Sequence, residues 1–344
     1  MTTTTTTAPP TGATLQAQVH PHELVWALSE AVVPSRALHL VAELGVADHL
    51  GRESATASEL AGRCGLDADG LDRVLRLLCV HGIFRFDGSS FAHNDASRLL
   101  RSDHPMSMRD FARLNSLPVV WGALADLDRS ARTGAPGALA MHPDGFFAYL
   151  SEHPEEAEVF GHAMAAKARA DIADILAAFD FSRFRTIADI GGGRGHLLRA
   201  VLESAPHAQG VLFDLPEVIR TLEIPGERIT TRAGDFFVDP LPDAEAYLLM
   251  EVIHDWAQPE ASAVVAAVRR ACRPGACVLI LEHLAPETGI DPVSQTLDVL
   301  MLAVTGGRER TSTQLGHLLE ANGFQPTAVT PTAGAISIVE GIAR

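Results

Sequence analysis

The chain is short of cysteine, of lysine and of long apolar runs. Its four cysteines in 344 residues are too few for a disulfide-rich secreted domain, and the spacing of Cys272 and Cys277 matches no metal-binding motif. We therefore expect reduced thiols in a cytoplasmic protein. No apolar run reaches the length of a bilayer span, and the start of the chain lacks the regions of a signal peptide. A membrane protein is not expected.

Positive charge is scarce as well. The 27 Lys and Arg residues stand against 43 Asp and Glu residues, a formal net charge of −16, and Lys167 is the only lysine. Such a chain repels phosphate backbones, so nucleic-acid binding over a broad face is not expected. Hydrophobic residues make up 47% of the chain, which is enough for folded cores and excludes a disordered or fibrous protein.

The pattern along the chain divides it into three regions. Residues 1–15, in which a run of threonines is followed by two prolines, predict a disordered tail. Residues 16–180 predict helix after helix. From residue 181 to residue 344, short β-rich runs alternate with helical ones, which predicts a mostly parallel sheet with helices on both faces. The last two β-rich runs predict an antiparallel pair joined near Gly334.

The helical region contains a winged-helix pattern. Thr56 and Glu59 have the spacing of a capping box at the start of a short helix, and a second helix follows. Asp87 and Gly88, between two apolar runs, predict a hairpin. Because residues 56–101 hold as many acidic as basic residues, we interpret the pattern as a packing or dimerisation module; a DNA-binding regulator is the alternative.

A glycine-rich turn joins the first strand of the C-terminal region to a helix. Asp189 is followed by Gly191, Gly193 and Gly195, and glycine lets the backbone approach a ligand closely. A dinucleotide fingerprint would need its third glycine at position 196, which is His196, so a nicotinamide cofactor fits poorly. A tight turn with no ligand is the alternative.

Polar side chains end the following strands. Asp214 ends the second strand, Gly234, Asp235 and Phe236 follow the third, and His254 follows the fourth. Ligands of open α/β sheets bind beyond these carboxyl ends. Asp214 suits the two hydroxyls of a ribose, and Asp235 with Phe236 offers a carboxylate and a ring to an adenine. Such an anionic rim favours a cofactor with a sulfonium and an amino group over a polyphosphate.

In combination these motifs resemble the S-adenosylmethionine (SAM)-dependent small-molecule O-methyltransferases of the caffeate and hydroxyindole type, in their bacterial secondary-metabolite branch. The motifs are DIGGGRG, FDLP, GDFF, the strand ending in HDW, LILEHLAP and LDVLMLAVTGGRERT, and the resemblance covers nearly the whole chain. It implies a Rossmann-like class I methyltransferase domain with a mostly parallel seven-stranded sheet. An all-α, winged-helix-containing region, which forms the homodimer and a substrate lid, would precede it.

The resemblance also implies a cofactor and roles for individual residues. The cofactor is SAM, the product is S-adenosyl-L-homocysteine (SAH), and no metal is involved. His254 would be the general base, flanked by Glu282 and Glu309. Plant members carry a lysine where this chain has Met250, which receives no role. The expected cofactor-binding residues are Asp189, Gly191, Gly193, Asp214, Leu215, Gly234, Asp235 and Phe236.

The chemistry of methyl transfer to a hydroxyl agrees with these roles. The acceptor oxygen must be aligned with the methyl group and must lose its proton, which a neutral histidine near pH 7 can accept. A carboxylate beside the imidazole would fix its tautomer, the role expected of Glu282 and Glu309. A capping or core histidine is the alternative for His254. Asp255 is expected to be structural, and Trp256 either packs near the adenine or fills core.

The predicted acceptor is a phenolic hydroxyl of a small aromatic metabolite, as in antibiotic biosynthesis. Nitrogen or carbon methylation, or SAM binding without methyl transfer, is the alternative within the family. Apolar side chains are expected to line the acceptor pocket, although core packing also explains them. Asp298 either contacts a polar group of the substrate or caps a neighbouring element. The expected acceptor-binding residues are Phe147, Phe160, Met164, Asp298 and Met301.

Overall fold

The computed structural model describes residues 20–222 and 227–344, so the predicted tail at residues 1–15 lies outside the described residues. The chain divides into two compact units, one ending at Ser102 and one running from Asp103 to Arg344. The division falls earlier than the boundary near residue 180 expected from the change in pattern. The reason is packing, because the long helix Pro154–Ala178 lies against the first helix and the last strand of the sheet region.

The described part of the first unit is helical, with one short hairpin. Thr56 and Glu59 form the predicted capping box, in which the Glu59 N–H donates to the Thr56 hydroxyl and the Thr56 N–H donates to the Glu59 carboxylate. The predicted hairpin also forms. The elements of this unit are α1 (Pro21–Glu30), α2 (Val32–Glu43), α3 (Val46–Leu50), α4 (Ala57–Cys64), α5 (Ala68–Val80), β1 (Arg85–Phe86), β2 (Phe91–Ala92) and α6 (Asp95–Arg98).

The first two helices carry an exposed apolar surface. No residue of α1 is buried, and Trp26 and Leu28 are 58% and 75% exposed. The expectation that no apolar run reaches bilayer length is wrong here: the stretch Pro21–Glu43, 23 residues, is long and apolar enough by length and composition. An apolar surface of this kind on a folded unit is typical of a protein–protein or membrane contact.

The second unit begins with helices and continues as an α/β sheet. Its helices are α7 (Arg109–Leu114), α8 (Pro118–Ala125), α9 (Leu127–Thr133), α10 (Phe146–Glu152), α11 (Pro154–Ala178), α12 (His196–Ser204), α13 (Pro216–Ile219), α14 (Gln258–Ala271), α15 (Pro292–Val304) and α16 (Ser312–Ala321). Its strands are β3 (Thr186–Ile190), β4 (Gln209–Asp214), β5 (Ile229–Ala233), β6 (Ala246–Met250), β7 (Cys277–His283), β8 (Phe324–Pro331) and β9 (Ile336–Ala343).

The sheet confirms the predicted class. Its strand order is β5-β4-β3-β6-β7-β9-β8, with β3 to β7 parallel and the terminal pair β8 and β9 antiparallel. Strand order reverses between β3 and β6, which lie side by side. The carboxyl ends of β3, β4, β5 and β6 therefore meet at one edge, where such sheets bind ligands.

Alternate residues of the central strands fill two cores, one on each face of the sheet. Ala188 and Ile190 of β3 pack with α14 and α16, whereas Ile187 packs with α11 and α12. Both faces are covered, so the strands read as nearly continuous apolar runs. Polar side chains at the strand ends thus have a rigid base, which fixes the geometry of the edge described next.

Candidate active site

The glycine-rich turn lies flat over the end of β3. A Cβ at Gly192 would come within 2.4 Å of the Asp189 Cγ, so only glycine allows this approach. Gly191 has a φ of 67°, in the region that favours glycine. Asp189 is 1% exposed, and burial, followed by the charge of Asp214, raises its pKa to about 7. Asp189 therefore lies beneath the turn and does not stand on the exposed rim.

Asp214 ties the end of β4 to the same turn. Its Oδ2 accepts a hydrogen bond from the Gly193 N–H at 2.7 Å, and its Oδ1 accepts one from the Leu215 N–H at 2.7 Å. Burial raises the pKa of Asp214 to about 6. Each carboxylate oxygen keeps a second lone pair, so a ligand hydroxyl could still be bound there.

The end of β5 brings an aromatic ring to the turn. The Gly234 N–H donates to the Asp214 carbonyl at 3.0 Å, and Asp235 accepts a hydrogen bond from the Phe237 N–H at 2.8 Å. The Phe236 ring lies 3.8 Å from where a Cβ of Gly191 would stand. The residues predicted to bind a ribose and an adenine therefore lie around one glycine turn.

His254 lies in a short 3₁₀ turn, Ile253–Asp255, after β6. Its ring Nδ1 is 2.8 Å from the Glu309 Oε1, and its backbone N–H donates to the Glu282 Oε1 at 2.8 Å. All three side chains are buried. The structure thus brings both predicted glutamates to His254, one to the imidazole and the other to the backbone.

The charge state of the His254 imidazole differs from the neutral form expected from the sequence. Burial alone would lower its pKa, but Asp255, Glu309, Glu282 and Glu251 together raise the pKa of His254 to about 10. The imidazole is therefore a cation at pH 7 in this arrangement. Burial also raises the pKa of Glu282 to about 7 and that of Asp255 to about 6.

Three nearby residues were missed as site residues by sequence reasoning. Asp255, expected to be structural, has its Oδ1 3.7 Å from the His254 Nε2. Glu251 has a φ of 51°, unusual for a residue other than glycine, and forms an ion pair with Lys167 of α11. The only available signal was that the chain has a single lysine, and nothing in the sequence connects it with Glu251.

The predicted acceptor residues on α10 and α11 meet in one aromatic cluster. Phe147 and Phe160 pack edge to face at 6.2 Å, and Met164 packs on the same cluster. Phe147 also stacks on Trp256 at 5.6 Å. Trp256 meets Phe236 edge to face at 5.9 Å, so its ring lies between the predicted acceptor and adenine residues.

The two predicted acceptor residues on α15 have different surroundings. The Asp298 Oδ1 accepts a hydrogen bond from the Glu309 N–H at 2.9 Å, which favours the capping alternative for this carboxylate. The half-buried Met301 accepts hydrogen bonds at its carbonyl from the Thr305 and Gly306 N–H groups at the end of α15. Contact of either side chain with an acceptor stays a prediction.

The sheet order, the glycine turn and the acidic strand ends define a class I methyltransferase fold. A family model for the O-methyltransferase domain matches residues 121–325, and one for the O-methyltransferase dimerisation domain matches residues 26–103. The chain therefore belongs to the O-methyltransferase family and is an enzyme of that family.

Similar proteins include enzymes of secondary metabolism. The chain is 36% identical to a phenazine O-methyltransferase of Lysobacter antibioticus, over 89% of this chain and 92% of the relative. It is 35% identical to an 8-amino-8-demethylriboflavin N,N-dimethyltransferase of Streptomyces davaonensis, over 88% and 90%.

One similar solved structure contains both a cofactor and an aromatic ligand. An O-methyltransferase from neocarzinostatin biosynthesis, in complex with SAM and a naphthoic acid, has a TM-score of 0.77. It is 30% identical, with 91% of this chain and 96% of that chain covered.

Proposed function

We propose that the protein transfers the methyl group of SAM to a hydroxyl of a small aromatic metabolite, with His254 as the general base. The observation that carries the proposal is the contact of the His254 Nδ1 with Glu309 at 2.8 Å, at the ligand-binding edge of the sheet. This contact leaves Nε2 as the ring nitrogen that can take a proton from an acceptor. Family membership favours this enzyme over a winged-helix regulator.

The residues at the glycine turn fit SAM. The space beside Gly193 is open, since a Cβ there would meet no atom within 4 Å. Asp214 would bind the ribose, Asp235 and Phe236 the adenine, and the Gly191 backbone the methionine part. SAM supplies a methyl group made electrophilic by a positive sulfur. The chain supplies alignment and the base, and a positioned base contributes about 10²–10⁴-fold in rate.

The raised pKa of His254 gives the base a definite pH dependence. The pKa of His254 is about 10, so the imidazole is mostly protonated at pH 7. Only the small neutral fraction can take the proton of the substrate hydroxyl. That fraction rises about tenfold per pH unit. The carboxylates of Glu309 and Asp255 then stabilise the imidazolium that proton transfer forms.

Methylation of an amine is the second candidate, because one relative is named an N,N-dimethyltransferase. The two candidates differ in their need for a base, since a neutral amine attacks through its lone pair and loses its proton afterwards. We would supply methyl-labelled SAM with matched pairs of phenols and anilines and compare the labelled products. Label on phenols alone supports O-methylation, and label on anilines alone overturns it.

Cofactor binding can be tested before any acceptor is known. Calorimetric titration with SAH should show saturable binding at one site per chain. Titration with NAD under the same conditions should show none. The reverse result would overturn the assignment of the glycine turn.

We also propose that the exposed apolar surface of α1 and α2 packs against a second copy of this chain. The match to a dimerisation domain over residues 26–103 supports this. Leu28→Glu should convert a dimer to a monomer in light scattering. A wild-type monomer would overturn the proposal.

We further propose a cytoplasmic location, which is supported by the four free thiols.

A further inference from the structure

Arg310 is a charged side chain in a fully buried position. It is 1% exposed and follows Glu309 directly. Burying a guanidinium is costly unless its donors are bonded. Its Nη1 donates to the Ile253 carbonyl at 2.9 Å, and its Nη2 donates to the Trp256 carbonyl at 2.8 Å. The two accepting carbonyls lie on either side of His254, so one side chain holds both ends of the turn that carries the imidazole.

The segment before Arg310 contacts the same turn through its backbone. The Arg308 N–H donates to the His254 carbonyl at 2.8 Å. A Cβ at Gly307 would lie 2.0 Å from that carbonyl oxygen, so the approach requires glycine. Residues 307–310 therefore form one element against the turn, in which Glu309 binds the ring and Arg310 fixes the backbone beneath it.

We propose that Arg310 is the positioning residue of His254, holding the turn so that the imidazole meets Glu309 and presents Nε2 to the acceptor. The proposal rests on His254 being the general base. Arg310 acts through His254, since its best-placed donors are bound to backbone carbonyls at 2.8 and 2.9 Å.

An arginine suits this task and a lysine does not. The planar guanidinium presents two NH₂ groups in a fixed fork, so it can bridge two carbonyls at a set separation. An ammonium keeps the charge but places its three donors on a single nitrogen at the end of a flexible chain. Arg310→Lys therefore removes the bridge while it preserves the positive charge near Glu282 and Glu309.

The matched control is Arg228. It is a half-buried arginine whose Nη1 donates to the Leu202 carbonyl at 2.6 Å, and it contacts none of the site residues named above. Arg310→Lys should lower kcat about 10²-fold, the loss expected from a displacement of about 1 Å, with KM for SAM and Kd for SAH little changed. Arg228→Lys should leave kcat unchanged.

A second measurement needs no acceptor. In ¹⁵N-histidine spectra, the imidazole identified by its loss in His254→Gln should titrate far above an ordinary histidine in the wild type and in Arg228→Lys. In Arg310→Lys it should titrate closer to an ordinary histidine, because the ring no longer stays against Glu309. Unchanged titration together with unchanged kcat would overturn the proposal, as would a change confined to Tm.

Arg310→Ala provides a second variant should Arg310→Lys not fold. Guanidinium ion at millimolar, non-denaturing concentration should restore its turnover, and methylammonium should not. Restoration by both ions or by neither would show that the fork does not position His254. The two proposals fail differently: an active His254→Ala overturns the base, whereas an inactive His254→Ala beside a normal Arg310→Lys overturns only the positioning role.

Discussion

The cofactor side and the base side of the site are built in different ways. On the cofactor side, Asp214 and the glycine turn are joined by backbone N–H groups next to strand ends, and Asp214 to Gly193 spans 21 residues of chain. On the base side, side chains converge from distant elements: Glu282 and Glu309 are 28 and 55 residues from His254. The contact of Asp214 joins two neighbouring strand ends, whereas the contacts of His254 bring together β7 and the segment that follows α15.

The two sides also treat carboxylates differently. The Asp214 carboxylate accepts hydrogen bonds from two backbone N–H groups. In contrast, four carboxylates raise the pKa of one imidazole, those of Glu309, Asp255, Glu282 and Glu251. Changes on the base side should therefore alter turnover and its pH dependence. Changes on the cofactor side should alter affinity for SAM and SAH.

The largest effect is expected at the base. His254→Ala should lower kcat by about 10²–10⁴-fold, because the acceptor proton loses its base. Affinity for SAH in calorimetry should stay within about twofold of the wild type, because no cofactor contact is removed. His207→Ala, an exposed histidine on the same sheet domain, is the control and should match the wild type. Near-normal kcat in His254→Ala would contradict the comparison.

A smaller and opposite pattern is expected at Asp214. Asp214→Ala removes a carboxylate that binds the Gly193 and Leu215 N–H groups and is proposed to bind the ribose. Hydrogen bonds to a charged group contribute about 1.5–3 kcal/mol each, so KM for SAM should rise about 10- to 100-fold. The pH profile of kcat should keep its shape. Asp243→Ala, at a residue in an exposed ion pair with Arg273, serves as the control. A shifted pH profile in Asp214→Ala would show that Asp214 also affects the base, which would contradict the proposed separation of the two sides.

Local sequence patterns predict the geometry of the glycine turn more fully than the complete set of charged residues around His254. The strands and the glycine turn follow from local patterns, because each apolar run, the glycines after β3 and the acidic residue that ends β4 can be recognised from a few neighbouring residues. Glu251, Lys167 and Arg310 could not be found this way. Their contacts form only because α11 and the 307–310 segment pack beside the His254 turn in the fold. No local sequence pattern indicates this packing. The predicted boundary near residue 180 follows a change of local pattern, whereas the division at Ser102 depends on how α11 packs.

An effect on the pH dependence of turnover is expected at Glu309. Glu309→Gln keeps an oxygen that can accept from the His254 Nδ1–H but removes the negative charge that raises the pKa of His254. The pKa should fall, so the rise of kcat/KM with pH should move to lower pH by about one unit, equivalent to about 1.4 kcal/mol. Glu320→Gln, an exposed position, should keep the wild-type profile. A shift toward higher pH would contradict the charge argument.

The smallest effect on turnover is expected beneath the glycine turn, where the buried Asp189 connects stability to pH. Its folded pKa is raised to about 7, so the folded chain keeps a proton that the unfolded chain releases above about pH 4. Stability contributed by the protonated form is present below pH 4 and is lost as pH rises to about 7. Asp189→Asn cannot ionise, so it should exceed the wild type in stability by about 4 kcal/mol at pH 8, from about three pKa units at about 1.4 kcal/mol each, and differ little at pH 4. Denaturant unfolding at both pH values would test this, with Asp144→Asn as the exposed control. A stability difference between Asp189→Asn and the wild type that is equal at both pH values would mean that Asp189 acts through its shape and not through its charge.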